Sequence, residues 1–534
     1  MTLIAGTVVV GLYLAQVAAY GAQVNDDAFI TFRYSKFLAL GRGPYFNVGE
    51  HVEGYTNPLL MTVMAAWLAL FGDASALFAA KTIGVAAGVA SLGFTWLLCR
   101  SWLRRIPALA ASASTVAWLG AALVATQAEF ALNSTTGLET TVFAGGITAG
   151  LWLVARAEAA DRWAGAGAVF AFVVATRPEG AAVVGLVLAV RLASGALRGA
   201  ASLRRWLLDA AIGAGAVIAL LLWRRINYDG ELVPNTYYAK LGGMTGRSTA
   251  LAYVTGLVGR HLAWVGCAPV LLALLFGARD LRRAIAPAMV VLGFGTAAIF
   301  LTGPDWMPGY RLLVPYLPVW GALAALGVFV AADRLRRRPV PLGSTVLIVL
   351  IAGLLAWQHT ARERYRDDLL TRVRGYNEGH AALADWLNDH GRAGETVALM
   401  DIGIVGFRCI DLDILDLTGL TDRTIARAPG GFLRKRYPLS YVLDRRPEFV
   451  IVVYTGPEAV RVDRPGSLVP WTEIERRLVT DPTFNEMYVR RRTAEPGADL
   501  LGQLAAQFGA SRVFRHAYPG RSYFLFAYER KPDR

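Results

Sequence analysis

Charged residues are scarce in this sequence. Aspartate, glutamate, lysine and arginine make up 18% of the 534 residues, against roughly 25% in an ordinary soluble protein. Hydrophobic residues make up 55%, and the mean hydropathy is +0.41. So apolar a chain with so little charge argues against a water-soluble fold and indicates an α-helical integral membrane protein.

Cysteine and histidine are also rare. Cys99, Cys267 and Cys409 lie far apart and form no CxxC pair, so no disulfide framework is indicated. His51 and His261 have no second histidine at metal-ligand spacing, and no Walker or dinucleotide-binding glycine pattern is present. We therefore predict no metal site and no required cofactor. A divalent ion that bridges carboxylates to a phosphate stays open.

Long apolar stretches, by contrast, recur as far as residue 358. A helix needs about 20 apolar residues to cross the hydrocarbon core. The stretches predict about eleven transmembrane helices, at 3–22, 77–99, 107–127, 138–155, 163–176, 180–195, 206–226, 251–277, 284–302, 311–332 and 341–358. The first lacks the basic n-region of a signal peptide, so we interpret it as an uncleaved helix. The mixed, charged sequence that follows predicts a second domain, so residues 1–358 form a membrane domain and residues 359–534 a soluble one.

Arginine clusters predict the orientation of the membrane domain. The net charge of +14 comes largely from short loops between apolar stretches, which is a pattern of membrane topology and not of nucleic-acid binding. The clusters fall on alternate loops, within 100–105, 191–205, 279–283 and 334–338. Cytoplasmic clusters place the N-terminus in the cytoplasm and the soluble domain outside. The short apolar stretch 58–71 cannot then be a crossing, so we predict a juxtamembrane helix there.

Two adjacent carboxylates, Asp26 and Asp27, follow the first predicted helix on the outer face. Carboxylates are costly near lipid, so they should face water, a partner or a substrate. A carboxylate can take the proton from an acceptor hydroxyl in glycosyl transfer, which makes the pair a candidate general base. The alternative is a solvated helix N-terminus, where aspartate is also favoured.

Other outer loops carry polar groups that converge on the same membrane surface. Arg177, Lys240 and Arg311 are candidate ligands for a lipid phosphate, although Arg177 can equally pair with Glu179 and the other two can reach toward headgroups. Tyr237, Tyr238 and Trp306 can stack on a sugar or belong to the interfacial aromatic belt.

The predicted soluble domain has short β-rich runs at 396–400, 414–417 and 449–454, with an amphipathic stretch at 377–388 before them. This alternation predicts a small α/β layer. Asp401 and the segment 418–422 follow the first two runs, where α/β folds place ligands, but turn chemistry is the favoured explanation for them. We expect the domain to bind the acceptor or another carbohydrate.

Six short motifs in this order resemble those of the GT-C glycosyltransferases, and within them the terminal β-(1→2) arabinofuranosyltransferases of actinobacterial cell walls. They are DDAFI at 26–30, VEGYTNP at 52–58, GLET at 137–140, TRPEG at 176–180, PNTYYAK at 234–240 and GPDWMPGYR at 303–311. The resemblance implies the GT-C fold, with the 58–71 helix as its juxtamembrane helix, in the cytoplasmic membrane.

The resemblance also implies inverting transfer of a sugar, arabinofuranose, from a polyprenyl-phosphate donor to a cell-envelope glycan acceptor on the outer face. The acidic pair would hold the base, with Asp26 favoured because related enzymes usually use the first residue of the pair. The residues in and beside these motifs that are expected to bind donor or acceptor are Arg33, Tyr34, Glu53, Tyr55, Asn57, Glu139, Arg177, Glu179, Asn235, Tyr237, Tyr238, Lys240, Asp305, Trp306 and Arg311. The alternatives are a flippase for lipid-linked sugar, disfavoured because no repeat is found, and a non-catalytic membrane scaffold.

Overall fold

The structure is a computed structural model of the chain. It describes all residues except 1, 161–164, 194–198, 242–246, 261–278, 306, 308, 337–376, 458–468, 491–520 and 533–534. The predicted span 341–358, the domain boundary at 358 and the indole of Trp306 therefore lie outside the described residues, as does most of the predicted span 251–277.

The first part of the described chain is helical. Its α-helices are α1 Thr2–Tyr20, α2 Asp26–Ala39, α3 Pro58–Phe71, α4 Ala76–Leu103, α5 Ala113–Val116, α6 Trp118–Ala125, α7 Ala128–Thr135, α8 Thr140–Ala160, α9 Ala166–Thr176, α10 Gly180–Ala193, α11 Ala200–Asn227, α12 Asn235–Lys240, α13 Arg247–Arg260, α14 Arg279–Thr302 and α15 Leu317–Arg336. The predicted spans up to residue 332 overlap these helices, with 107–127 divided into short pieces. Residues 128–135, expected as an outer loop, form α7.

Five described helices are long and apolar enough to cross a membrane, and a pair bent by 67° could form a sixth. The five are Thr2–Tyr20, Asp73–Leu103, Thr140–Ala157, Ala200–Asn227 and Asp280–Thr302, and the pair is Ala113–Ala125 with Ala128–Thr135. Shorter apolar helices lie at Pro58–Phe71, Ala166–Thr176, Gly180–Ala193 and Val314–Val330. The chain is a multi-pass helical membrane protein, while the count of about eleven crossings stays a prediction.

Helix α3 occupies the predicted juxtamembrane stretch. Pro58 stands at its start, where the missing N–H costs nothing. Gly72 follows its end with φ of 74°, a conformation that glycine adopts without steric cost. The predicted helix is confirmed, and its position relative to a membrane stays a prediction.

The second part of the described chain contains a six-stranded mixed sheet. The strands are β1 Thr396–Leu399, β2 Asp413–Asp416, β3 Phe449–Pro457, β4 Val469–Pro470, β5 Tyr488–Arg490 and β6 Arg521–Arg530. Their order is β2-β1-β3-β6-β5, with β4 beside β3; β1 pairs in parallel with β2 and β3, and the other pairs are antiparallel. The helices are α16 at 377–390, α17 Ile402–Arg408, α18 Arg423–Arg427, α19 Ser440–Leu443, α20 Glu473–Thr480 and α21 Pro482–Met487. The predicted α/β layer is confirmed.

The sheet-containing domain packs on α2 and on the segment that follows it. Ile30, Tyr34 and Phe46 belong to the same buried cluster as the apolar residues of β1, β2 and β3. Asn47 pairs with the edge of β2: its Nδ2 donates to the carbonyl of Ile414 at 2.8 Å, and its Oδ1 accepts from the Ile414 N–H at 3.0 Å. The acidic pair at the start of α2 therefore lies at the junction of the two parts of the chain.

Candidate active site

Asp26 and Asp27 form the first turn of α2, where the helix dipole favours negative charge. Their side chains point into different surroundings. Asp26 is only 6% exposed, and its two carboxylate oxygens accept the N–H groups of Gly403 at 2.9 Å and Ile404 at 2.7 Å. Asp26 thus binds the first turn of α17, and so joins α2 to the soluble domain.

The close approach of Asp26 to α17 depends on a glycine. A Cβ atom at Gly403 would collide with the backbone and the carboxylate of Asp26, so a larger residue could not stand there. Behind the turn, Nε2 of buried His380 lies 3.1 Å from Oδ2 of Asp401. Burial raises the pKa of Asp26 to about 6, although the His380 charge opposes the shift.

Asp27 points instead toward a cluster of charges. Its side chain is 21% exposed, and its Oδ2 lies 3.7 Å from Nη1 of Arg311. The Nε of the same guanidinium lies 2.5 Å from Oδ2 of Asp305, so Arg311 bridges two carboxylates. Burial raises the pKa of Asp27 above its ordinary value, although Arg311 and then Lys240 oppose the shift. Burial would raise the pKa of Asp305, but the charges of Arg311 and Lys240 and the hydrogen bonds from Arg311 and the Met307 N–H together lower it.

Arg311 reaches this position from a turn with unusual backbone geometry. Gly309 has φ of 93° and Tyr310 has φ of 51°, and a non-glycine residue in this region is uncommon. The carbonyl of Gly309 accepts the Nδ2 of buried Asn133 at 2.8 Å, which fixes the turn to α7. Trp306, from the same motif, lies outside the described residues.

Lys240 approaches the cluster from the end of α12. Its side chain is exposed, and in the part of the chain that the structure describes its ammonium meets no oxygen; its one contact is with the ring of Phe432, 5.7 Å from the centroid. Tyr237, on the same helix, is 53% exposed. Tyr238 instead stacks under the guanidinium of Arg427 at 4.3 Å.

A second charged group lies close by and is buried. Nη1 of Arg177 lies 3.3 Å from Glu139, and its Nε lies 2.7 Å from Glu179. Asn57 donates to the other oxygen of Glu139 at 2.7 Å. The charge of Glu139 acts on Arg311, and the charge of Arg177 acts on Lys240. The segments that carry these four residues therefore meet at one place.

Other residues predicted to bind a ligand instead hold the connecting segments of the first part of the chain and the sheet-containing domain together. They are fully or almost fully buried and bonded within the chain: Arg33 to four backbone carbonyls, Tyr34 to Val52 and Gly54, Glu53 to Arg224, Tyr55 to Tyr228, and Asn235 to the carbonyls of Gly419 and Leu420. In this state they offer little to a ligand. The turn at 418–422 is likewise explained by its own bonds, since Asp416 accepts from Thr418 and Thr421.

Some residues that build the site escaped the sequence analysis. Arg224 forms a buried pair with Glu53, with Nε 2.6 Å from Oε2. Its signal was an arginine at the predicted outer end of a span, which departs from the usual bias of positive charge toward the cytoplasm. Gly403 and His380 carried no such signal, because their importance depends on contacts with residues more than 350 positions earlier in the chain.

We expect Arg33→Met to loosen the soluble domain from α2. The Arg33 guanidinium donates to the carbonyls of Phe46 at 2.6 Å, Leu412 at 2.8 Å and Cys409 at 3.0 Å, and bonds to a charged donor contribute about 1.5–3 kcal/mol each. The variant should lose at least about 3 kcal/mol of stability and become sensitive to limited proteolysis. Exposed Arg42 is the matched control, since Arg42→Met should change stability by less than about 0.5 kcal/mol. Equal proteolysis of both variants would contradict this role.

Within the described residues, no group of three histidine, cysteine, aspartate or glutamate side chains is arranged to hold a metal ion. The guanidinium of Arg311 lies between the carboxylates of Asp27 and Asp305 and neutralises part of their charge. The arrangement places the partly exposed carboxylate of Asp27 beside two cations. Arg311 is paired with carboxylates, and Lys240 has no oxygen partner among the described residues.

Comparison with known proteins supports this fold. A family described as "Domain of unknown function (DUF8728)" matches residues 365–501. A terminal β-(1→2)-arabinofuranosyltransferase of Corynebacterium glutamicum is 26% identical, over 55% of this chain and 47% of that protein. The match thus spans about half the length of this curated relative.

Two solved membrane enzymes have similar structures. ArnT from Cupriavidus metallidurans bound to undecaprenyl phosphate superposes with a TM-score of 0.54 at 15% identity, covering 77% of this chain and 85% of that one. The archaeal oligosaccharyltransferase AglB from Archaeoglobus fulgidus, in complex with an inhibitory peptide and a dolichol-phosphate, gives 0.58 at 10% identity, covering 99% and 88%. The chain therefore has the GT-C fold of membrane glycosyltransferases, with a sheet-containing domain after its membrane helices.

Proposed function

We propose that this protein is an inverting glycosyltransferase of the cytoplasmic membrane. It moves a sugar, arabinofuranose, from a polyprenyl-phosphate donor onto a cell-envelope glycan on the outer face. The observation that carries the proposal is the partly exposed carboxylate of Asp27 beside Arg311 and Lys240. The lipid phosphates named with ArnT and AglB and the arabinofuranosyltransferase relative support the donor class and the sugar.

Asp27 is the proposed general base. A base must reach the acceptor hydroxyl. Asp27 is partly exposed, whereas both oxygens of Asp26 accept backbone N–H groups. This choice departs from the expectation of Asp26 that the family resemblance gave. Asp26 instead holds α17 and the soluble domain in place beside the base.

The proposed donor site uses the two cations differently. Arg311 is fixed by Asp305 and carries a permanent charge, since its neighbouring carboxylates raise its pKa despite burial. Lys240 has an ammonium with no oxygen partner among the described residues, so it can donate to the phosphate of the donor. As the bond between the anomeric carbon and the phosphate breaks, negative charge grows on the leaving phosphate, and cations aimed at that charge lower the barrier.

The transfer assay tests this proposal. Purified protein in nanodiscs is incubated with radiolabelled polyprenyl-phosphate arabinofuranose and an arabinan oligosaccharide, and label in the oligosaccharide is counted. We expect transfer from this donor. Transfer from a hexose donor alone would retain the reaction and exclude arabinose, and no transfer from any lipid-phosphate sugar would contradict the enzyme.

The proposed base predicts the acid limb of the pH profile. Asp27 must be ionised to accept a proton, and its pKa is raised above the ordinary value by burial. The value of kcat/KM should therefore begin to fall at a higher pH than an ordinary aspartate, with a pKa of about 3.9, would cause. Lys240→Ala removes a charge that favours the ionised form, so its acid limb should move to still higher pH. An identical acid limb in both proteins would contradict the assignment of the base.

A further inference from the structure

A cavity of 540 Å³ lies between α2, the start of α4 and the helices α16 and α17 of the soluble domain. Its volume is in the range of small-molecule sites. The wall is drawn from both parts of the chain, with Phe29 and Lys36 on α2, Asp73 before α4, Asn377 and Asn388 on α16, and Phe407 on α17. Asp27, Lys240, Asp305 and Arg311 are not among the residues that line this cavity.

The wall combines aromatic and hydrogen-bonding groups. Phe29 and Phe407 lie with ring centroids 5.7 Å apart and can pack against the C–H faces of a sugar ring. The amides of Asn377 and Asn388 can both donate and accept. Oδ1 of Asn377 is buried and has no hydrogen-bond partner in the described part of the chain, so a donor from a ligand would satisfy it.

The charges of the wall are balanced. Nζ of Lys36 lies 2.5 Å from Asp73, and Nη2 of Arg408 lies 2.5 Å from Asp385. Both cations of the described wall, Lys36 and Arg408, are thus paired with carboxylates, so a phosphate should bind less well here than at Lys240. A hydrocarbon chain would cover the amides of Asn377 and Asn388 without hydrogen bonding to them, which is unfavourable. A neutral polyol can donate hydrogen bonds to the amide oxygens of the wall and accept them from its amide N–H groups.

The cavity also adjoins Asp26, the neighbour of the proposed base in the chain. Ile404 contributes to its wall and gives its N–H to Asp26, and Val24 of the wall lies three residues before Asp27. We propose that this cavity binds the neutral glycan acceptor, so that the acceptor approaches the base from the side of α16 and α17 while the lipid phosphate lies at Lys240 and Arg311. This inference rests on the proposed function and adds the acceptor subsite to it.

Filling the cavity tests the inference. Ala381 lines the cavity from α16 and is partly exposed, so Ala381→Trp should fill it from the helix surface. Asp389, exposed on the same helix and not part of the wall, gives the matched control Asp389→Trp. We measure KM for an arabinan oligosaccharide and KM for the lipid donor in each, together with direct binding of the oligosaccharide by saturation-transfer NMR.

The expected result is a rise of about tenfold or more in the acceptor KM of Ala381→Trp, with an unchanged donor KM. Asp389→Trp should keep both constants at their wild-type values. A raised donor KM with an unchanged acceptor KM would overturn the inference in favour of the lipid, and so would two unchanged constants. Asn377→Leu, which adds little volume, should weaken oligosaccharide binding even if Ala381→Trp does not fold. Cavity-dependent binding of the oligosaccharide without any transfer would defeat the proposed function alone.

Discussion

Replacing Asp27 with asparagine is expected to lower the rate of sugar transfer by about 10² to 10⁴, the usual contribution of a general base. Asparagine keeps the size of the side chain and cannot accept the proton of the acceptor hydroxyl. Because Asp27 is partly exposed and its ion-pair partner Arg311 is also paired with Asp305, the variant should fold. The loss should appear in kcat with little change in the KM of either substrate.

The matched comparison is Asp26→Asn, one residue earlier in the same turn. Its amide oxygen can replace only part of the acceptor capacity that the N–H groups of Gly403 and Ile404 require. We expect a lower melting temperature and easier proteolysis at α17, with a smaller loss of kcat than in Asp27→Asn. A stable Asp26→Asn protein without activity, beside an active Asp27→Asn, would reverse the two roles.

Replacing Lys240 with alanine is expected to raise the KM for the lipid donor by about tenfold to a hundredfold, since a hydrogen bond between charged groups contributes about 1.5–3 kcal/mol. Its ammonium makes no ion pair among the described residues, so its removal should leave no buried charge behind and the fold should be kept. Donor binding can be followed by competition with polyprenyl phosphate.

Lys240→Arg serves as the control for that variant. It keeps the positive charge and can still donate to a phosphate, so most of the donor affinity should return. The acceptor KM should stay unchanged in both variants. An unaltered donor KM in Lys240→Ala would remove Lys240 from the proposed phosphate site.

The sequence was informative wherever a pattern is local. Apolar length predicted the long helices that the structure describes up to residue 332, apart from the part of 251–277 that lies outside the described residues. The proline and glycine that flank 58–71 agree with the ends of α3, and the β-rich runs became β1, β2 and β3. The polar motifs also pointed to one surface, where the loops of Asp27, Lys240, Asp305 and Arg311 do meet.

What the sequence could not separate were motif residues that face the site from those that support it. Arg33 stands on the same helix as Asp27, yet it is buried in bonds to backbone carbonyls. Glu53, from the motif at 52–58, is buried against Arg224. The different surroundings of Asp26 and Asp27 depend on α17, which lies almost 380 residues later in the chain. Such contacts follow from the packing of the two parts and leave no periodic signal in either.

The measurement that tests the central claim most directly is the stoichiometry of a single reaction. Protein in nanodiscs receives doubly labelled polyprenyl-phosphate arabinofuranose and an arabinan oligosaccharide, and the sugar label in the product is compared with the polyprenyl monophosphate released. The account predicts one phosphate released for each sugar transferred, with inverted configuration at the anomeric carbon. Retained configuration at the anomeric carbon would contradict the account. Lipid-linked sugar that remains uncleaved by folded protein would contradict it as well.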